Sequence, residues 1–168
     1  MSDDLLVAYG DDLSDIRIDQ LFKKIAEIAH HYPEHKFIMP IANKYNSMGG
    51  RKNKNIYLVE YVPELRNKLI DCAGYVTYGG YNATVEILKS QIPSIVVPRQ
   101  SGRKMEQFVR AFTFEPYDYY KVLTMPEFST IKTVLDEVVG GYKPQRFKYD
   151  IQGTSNSAQI LSDIYNEF

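Results

Sequence analysis

The densest chemistry in the chain lies in Thr77-Tyr78-Gly79-Gly80-Tyr81-Asn82-Ala83-Thr84-Val85-Glu86. An apolar run ends, two glycines follow, and a helix-forming stretch begins. Glycines at such a junction let backbone approach a ligand closely. A helix start offers N–H groups without intrahelical partners and the positive end of the macrodipole. Together these make a seat for a phosphate. Glu86 falls less than two turns into that helix, where its carboxylate can accept hydrogen bonds from a ribose diol. Neither feature is specific alone. A Gly-Gly pair often serves only to turn the chain, and a helix glutamate is ordinarily just solvated.

A second constellation follows a buried strand, in Ile95-Val96-Val97-Pro98-Arg99-Gln100-Ser101-Gly102-Arg103-Lys104-Met105-Glu106-Gln107. Arg99, Arg103 and Lys104 supply cations that can meet a diphosphate or a sugar. A solvated basic turn is the plainer alternative. Other reactive residues offer less. His30, His31 and His35 flank a helix end, and no cysteine or acidic spacing completes a metal site around them. Cys72 lies in the apolar stretch Leu69-Ile70-Asp71-Cys72-Ala73 with no histidine nearby, so it reads as a buried bystander. Arg51, Lys52 and Lys54 sit beside Gly49 and Gly50 and read as a solvated loop. Tyr117, Tyr119 and Tyr120 could form an interaction surface or contribute to the core.

The elements that must position these residues alternate along the chain. Short apolar runs predict strands at Leu5–Tyr9, Lys36–Met39, Ile56–Val59, Gly74–Tyr78, Ser94–Val97 and Lys121–Leu123. Apolar residues at three- and four-residue intervals predict a helix over Ile16–His30, stopped by Pro33. Further helices are predicted over Glu64–Ile70, Asn82–Ser90, Arg103–Phe112, Phe128–Val139 and Ser155–Phe168. Almost every gap between strands is too long for a hairpin. The pattern implies an α/β fold: a parallel sheet with helices on both faces. Ligands bind such sheets at the carboxyl ends of the strands. The loops to watch are therefore Gly10–Ser14, Pro40–Asn53, Tyr61–Pro63, Tyr78–Asn82 and Pro98–Arg103. Residues 1–168 read as one domain. Gly140-Gly141-Tyr142-Lys143-Pro144 is a candidate hinge, and the segment 141–168 is expected to end in a helix that packs back on the domain.

Bulk properties set the boundaries. The 168 residues suit a single core, and 44% hydrophobic with 24% charged residues is ordinary for a globular chain. A net charge of −1 gives no electrostatic case for nucleic acid or an anionic membrane. One cysteine excludes an internal disulfide and points to a reducing, cytoplasmic setting. No apolar run approaches the length of a membrane span, and no signal-peptide pattern opens the chain.

Three segments together resemble a known family. They are Gly79-Gly80-Tyr81-Asn82-Ala83-Thr84-Val85-Glu86-Ile87-Leu88, then Pro93-Ser94-Ile95-Val96-Val97-Pro98-Arg99, then Glu106-Gln107 with Arg110-Ala111. They are similar to the C-terminal, donor-binding domain of GT-B glycosyltransferases of the family 28 type. The nearest branch contains the undecaprenyl-muropeptide N-acetylglucosaminyltransferase and bacterial glycosyltransferases with a "GGYN…E" signature. The likeness is densest from about Ile56 to Ala111. It implies a Rossmann-like sheet, one half of a GT-B fold, acting in inverting transfer of a hexose or N-acetylhexosamine from a UDP-sugar.

The resemblance also implies roles. Backbone amides around Gly79, Gly80, Tyr81, Asn82 and Ala83 would hold the α-phosphate, and Glu86 the ribose hydroxyls. The backbone of Val62, beside Tyr61, would read the uracil edge. Glu106 and Gln107 would contact sugar hydroxyls, beside the cations Arg99 and Arg103 read above as able to meet the diphosphate or the sugar. Gly10 would belong to a first loop closing on the diphosphate. That loop departs from the family, because Asp11 and Asp12 follow where relatives carry glycines. Two carboxylates repel a diphosphate unless a cation intervenes. The alternative is therefore a non-catalytic GT-B-like interaction domain that has lost donor binding. A phosphate-accepting receiver domain fits less well, because the third strand runs into Glu60 and Tyr61 rather than an aspartate. The family's general base lies on an N-terminal acceptor domain. The implied partner is that domain or a separate subunit, which would bring the chain to the inner membrane face. The UDP-sugar is then a substrate, and no cofactor or metal is implied.

Overall fold

A computed structural model describes residues 4–7, 16–40, 53–98, 105–124, 130–149 and 153–166. Six strands form one parallel sheet: β1 (Asp4–Val7), β2 (Lys36–Pro40), β3 (Ile56–Val59), β4 (Gly74–Thr77), β5 (Ser94–Val96) and β6 (Lys121–Val122). Among the described residues six α-helices accompany them: α1 (Ile16–Ile28), α2 (Leu65–Asp71), α3 (Tyr81–Ser90), α4 (Met105–Phe114), α5 (Ile131–Val139) and α6 (Gly153–Asn166). These agree with the expected elements to within a few residues at each end. The strand order is β3-β2-β1-β4-β5-β6. The chain winds outward from β1 to one edge, then returns to β4 on the other side of β1. The carboxyl ends of β1 and β4 thus flank the reversal, where doubly wound sheets open a crevice.

Alternation along each strand builds two cores. Phe37, Met39, Val76 and Ile95 face the side covered by Leu21, Phe22 and Ile25 of α1 and by Ile131, Leu135 and Val138 of α5. Their neighbours Ile38, Tyr75 and Val96 face Leu69 of α2, Ile87 and Leu88 of α3, and Ala111 of α4. The period of two sends adjacent side chains to opposite faces, so the central strands β4 and β5 are buried throughout. At the edge, β3 leaves Tyr57 and Leu58 exposed.

Polar staples close the β2–β3 end. A short 3-10 turn, Ala29–His31, follows α1. The Asn55 amide lies within hydrogen-bond distance of three carbonyls, of Ala29 at 2.8 Å, Tyr32 at 3.0 Å and His35 at 3.1 Å. The Tyr32 hydroxyl donates to Asp136 Oδ1 at 2.7 Å, joining this turn to α5. Lys132 and this hydroxyl hold the Asp136 carboxyl below its ordinary range.

The tail is anchored by Tyr142, whose hydroxyl donates to the Asp118 carbonyl at 2.8 Å, and by Phe147, edge-on to Tyr119 at 5.3 Å. Of the three tyrosines with open roles, Tyr119 and Tyr120 are buried, while Tyr117 is exposed and stacked on Tyr119. Residues 156–165 of α6, including Ile160, Leu161, Ile164 and Tyr165, are all exposed.

Candidate functional site

The β4–α3 junction sits at the carboxyl end of β4, beside the reversal of strand order. Its two glycines differ in kind. Gly79 has φ of +69°, and a Cβ there would stand 2.6 Å from Val96 Cγ1. The left-handed backbone and the close approach to β5 both require glycine. Gly80 has φ of −57°, and nothing lies within 4 Å of where its Cβ would be. Neither the backbone nor the packing requires glycine there. The missing side chain leaves room for another group to approach.

Buried bonds hold the turn. Gly79 N–H donates to Thr77 Oγ1 at 3.4 Å, and Thr84 Oγ1 donates to the Gly79 carbonyl at 3.2 Å. Arg110 Nη1, from α4, donates to the same carbonyl at 3.1 Å. Helix α3 then begins with Gly80 at its N-cap and no side-chain cap. Helices α2 and α5 also lack a side-chain cap. An uncapped start therefore does not single out α3; its place at the sheet reversal does.

The expected site residues divide into three groups. Gly79, Gly80, Tyr81, Asn82, Ala83 and Glu86 lie together on the turn and the first two turns of α3. Tyr81 and Asn82 are exposed and Ala83 is half-buried. The Glu86 side chain is 26% exposed and pairs with Arg66 of α2, Nε to Oε2 at 3.6 Å. That contact is an ion pair rather than a hydrogen bond. Glu86 Oε2 is shielded from solvent and has no hydrogen-bond partner among the described residues.

A second group stands close by. Val62 packs in the same cluster as Tyr75 and Ile87, which sets the loop after β3 against α3. Glu106 and Gln107 open α4. Glu106 is exposed and lies 3.9 Å from Arg110 Nη2. Gln107 is half-buried, and its Oε1 is shielded without a hydrogen-bond partner among the described residues. The third group, Gly10, Arg99 and Arg103, lies outside the described residues, as do Asp11 and Asp12.

Burial pushes the Cys72 thiol up to about 11. His30 Nδ1 lies 2.7 Å from the Glu27 carbonyl, and its ring lies 3.9 Å from that of His31. Among the described residues no group of three or more His, Cys, Asp or Glu could hold a metal. No described helix is long and apolar enough to cross a membrane. Two residues near the turn carry no expected role from sequence, Arg66 and the guanidinium of Arg110. Arg110 was accessible in principle: it falls one helical turn after Glu106, on the same face of α4.

This sheet order, with helices on both faces and a glycine turn at the reversal, defines a Rossmann-like doubly wound domain. Solved glycosyltransferases share it. The glycotransferase of kitacinnamycin aligns at a TM-score of 0.65 with 18% identity, covering 82% of this chain and 35% of that one. The calicheamicin glycosyltransferase CalG4 aligns at 0.65 with 17% identity, covering 82% and 35%. The glycosyltransferase VinC, in complex with dTDP, aligns at 0.59 with 16% identity, covering 81% and 33%. In sequence, the chain is similar to the UDP-N-acetylglucosamine–N-acetylmuramyl-(pentapeptide) pyrophosphoryl-undecaprenol N-acetylglucosamine transferase of Streptococcus suis (strain 05ZYH33). Identity is 33% over 117 residues. The match covers 68% of this chain and 32% of that protein, so the chain spans about a third of its curated relative. No family model matches the chain.

Proposed function

We propose that the chain is the donor-binding half of an inverting glycosyltransferase that uses a UDP-hexose or a UDP-N-acetylhexosamine. One observation carries this reading. At the reversal of strand order, a pinned glycine leads into an unobstructed one at a helix start, with a carboxylate on the same helix whose Oε2 is ion-paired to Arg66 and has no hydrogen-bond partner among the described residues. The arrangement suits a nucleoside diphosphate. Amides at the start of α3 take the α-phosphate, and the helix dipole favours its charge. Glu86 Oε2 takes the ribose hydroxyls. The Val62 backbone meets the uracil edge, and Glu106 and Gln107 meet the sugar.

In such transfer an acceptor hydroxyl attacks the anomeric carbon as the sugar–phosphate bond breaks. This half aligns the donor and stabilises the departing diphosphate through fixed dipoles and cations. The base that takes the acceptor's proton belongs to the missing half, on a preceding domain or a separate subunit. The isolated chain therefore binds donor and transfers nothing. The similarity to a UDP-N-acetylglucosamine-dependent enzyme over 117 residues supports uridine as the base.

Titration calorimetry with UDP, dTDP, GDP and UMP tests the reading. UDP is expected to bind best. Absence of nucleotide binding would leave the chain as an interaction domain with a glycosyltransferase fold. Glu86→Ala is expected to weaken UDP binding by about 1–3 kcal/mol, the loss of hydrogen bonds to a charged group. Unchanged affinity would remove Glu86 from the ribose.

A further inference from the structure

Arg110 ties together the parts of the site that are remote in sequence. It lies 31 residues from Gly79, yet Nη1 donates to the Gly79 carbonyl at 3.1 Å. Its guanidinium carbon stands 5.6 Å from the centroid of the Tyr81 ring, within cation–π range. Nη2 faces Glu106 at 3.9 Å. The side chain is only 20% exposed. One cation thus contacts the turn, the first residue of α3 and the opening of α4.

The contact to Gly79 matters most. A trans peptide is planar, so its carbonyl and the following N–H point in opposite directions. Arg110 and Thr84 both donate to the Gly79 carbonyl, which fixes the orientation of that plane. The Gly80 N–H on the same plane is therefore aimed away from them. A Gly79 carbonyl that rotated outward would turn that N–H inward and present oxygen to an incoming phosphate.

We propose that Arg110 is a positioning residue that locks the Gly79–Gly80 peptide in its anion-accepting orientation for a nucleoside diphosphate. The inference rests on the donor-site reading above. Arg110 makes this contribution through the Gly79 carbonyl. Its positive charge beside the start of α3 adds to the attraction for phosphate, and its contact with Glu106 links the phosphate seat to α4.

The test compares UDP with uridine on wild-type, R110M and R110K chains by NMR titration, with thermal unfolding of each. R110M is expected to lose about ten- to hundredfold in UDP affinity, the scale of a hydrogen bond from a charged group. Uridine affinity should stay within about twofold, since the nucleoside is held elsewhere. R110K, which keeps the charge and the ability to donate to the Gly79 carbonyl, should recover part of the UDP affinity. A merely structural role would weaken both ligands alike and overturn the proposal. If R110M unfolds, T84V removes the other donor to the Gly79 carbonyl, and the same UDP-selective loss is expected. Wild-type chain that binds no UDP would overturn the donor reading and this inference together. Wild-type binding with unchanged R110M affinity would overturn this inference alone.

Discussion

The β4–α3 turn and the staple before β3 are built from the same materials to opposite ends. Both are short polar segments tied to the body of the sheet by buried or half-buried hydrogen bonds. At the staple the bonds close on themselves. The Asn55 amide meets the carbonyls of Ala29, Tyr32 and His35, and the Tyr32 hydroxyl meets Asp136. At the β4–α3 turn the bonds fix Gly79 from behind and leave the Gly80 side open. A structural polar cluster satisfies its own groups. A binding cluster holds its backbone rigid so that other groups stay available.

Substitutions can break or sharpen that contrast. The largest effect is expected at Gly79. Alanine there meets Val96 Cγ1 and a left-handed φ, at about 2–4 kcal/mol of stability. Urea unfolding measures it, and a wild-type midpoint would show that the turn relaxes freely. Asn55→Ala should cost about 1–3 kcal/mol by removing the side-chain amide that ties three carbonyls of the turn to β3, yet leave UDP affinity unchanged. A fall in affinity at constant fold would erase the difference between the two regions. Gly80→Ala reverses that pattern. Its stability should fall by only about 1 kcal/mol, the cost of alanine at an N-cap, while UDP affinity drops about tenfold through obstruction of the phosphate seat.

The smallest effect supplies a control for all three. Burial raises the Cys72 thiol to about 11, so it stays protonated and unreactive in the folded chain at neutral pH. Between the ordinary thiol range and about 11, the folded state keeps a proton that the unfolded state has lost. Stability therefore holds below the ordinary thiol value and declines as pH rises toward 11. Iodoacetamide labelling of Cys72 near pH 8 should track global unfolding in each variant. Rapid labelling of folded wild-type chain would contradict the burial.

Much of the architecture was legible because it depends on local pattern. Short apolar runs bounded by glycine or proline marked the strands. Three- and four-residue spacing marked α1, where Leu21, Phe22, Ile25 and Ile28 are all buried. Helix ends were less legible. The expected helix over Phe128–Val139 becomes α5 from Ile131, with residues 125–129 outside the described set. Tyr119 and Tyr120 could not be assigned to core or surface from spacing alone, because an aromatic suits both until its neighbours are known.

The sequence by itself determined that strands and helices alternate, that the sheet is parallel, and that glycines precede a helix bearing Glu86. Those features follow from side-chain periodicity and backbone freedom, which act over a few residues. Only the tertiary structure decided that the β4 end lies at the reversal of strand order. It alone paired Arg66 with Glu86, set Arg110 on the Gly79 carbonyl, and separated the pinned glycine from the open one. Such contacts join elements through the packing of two cores, and no local spacing encodes which helix will cover which strand end.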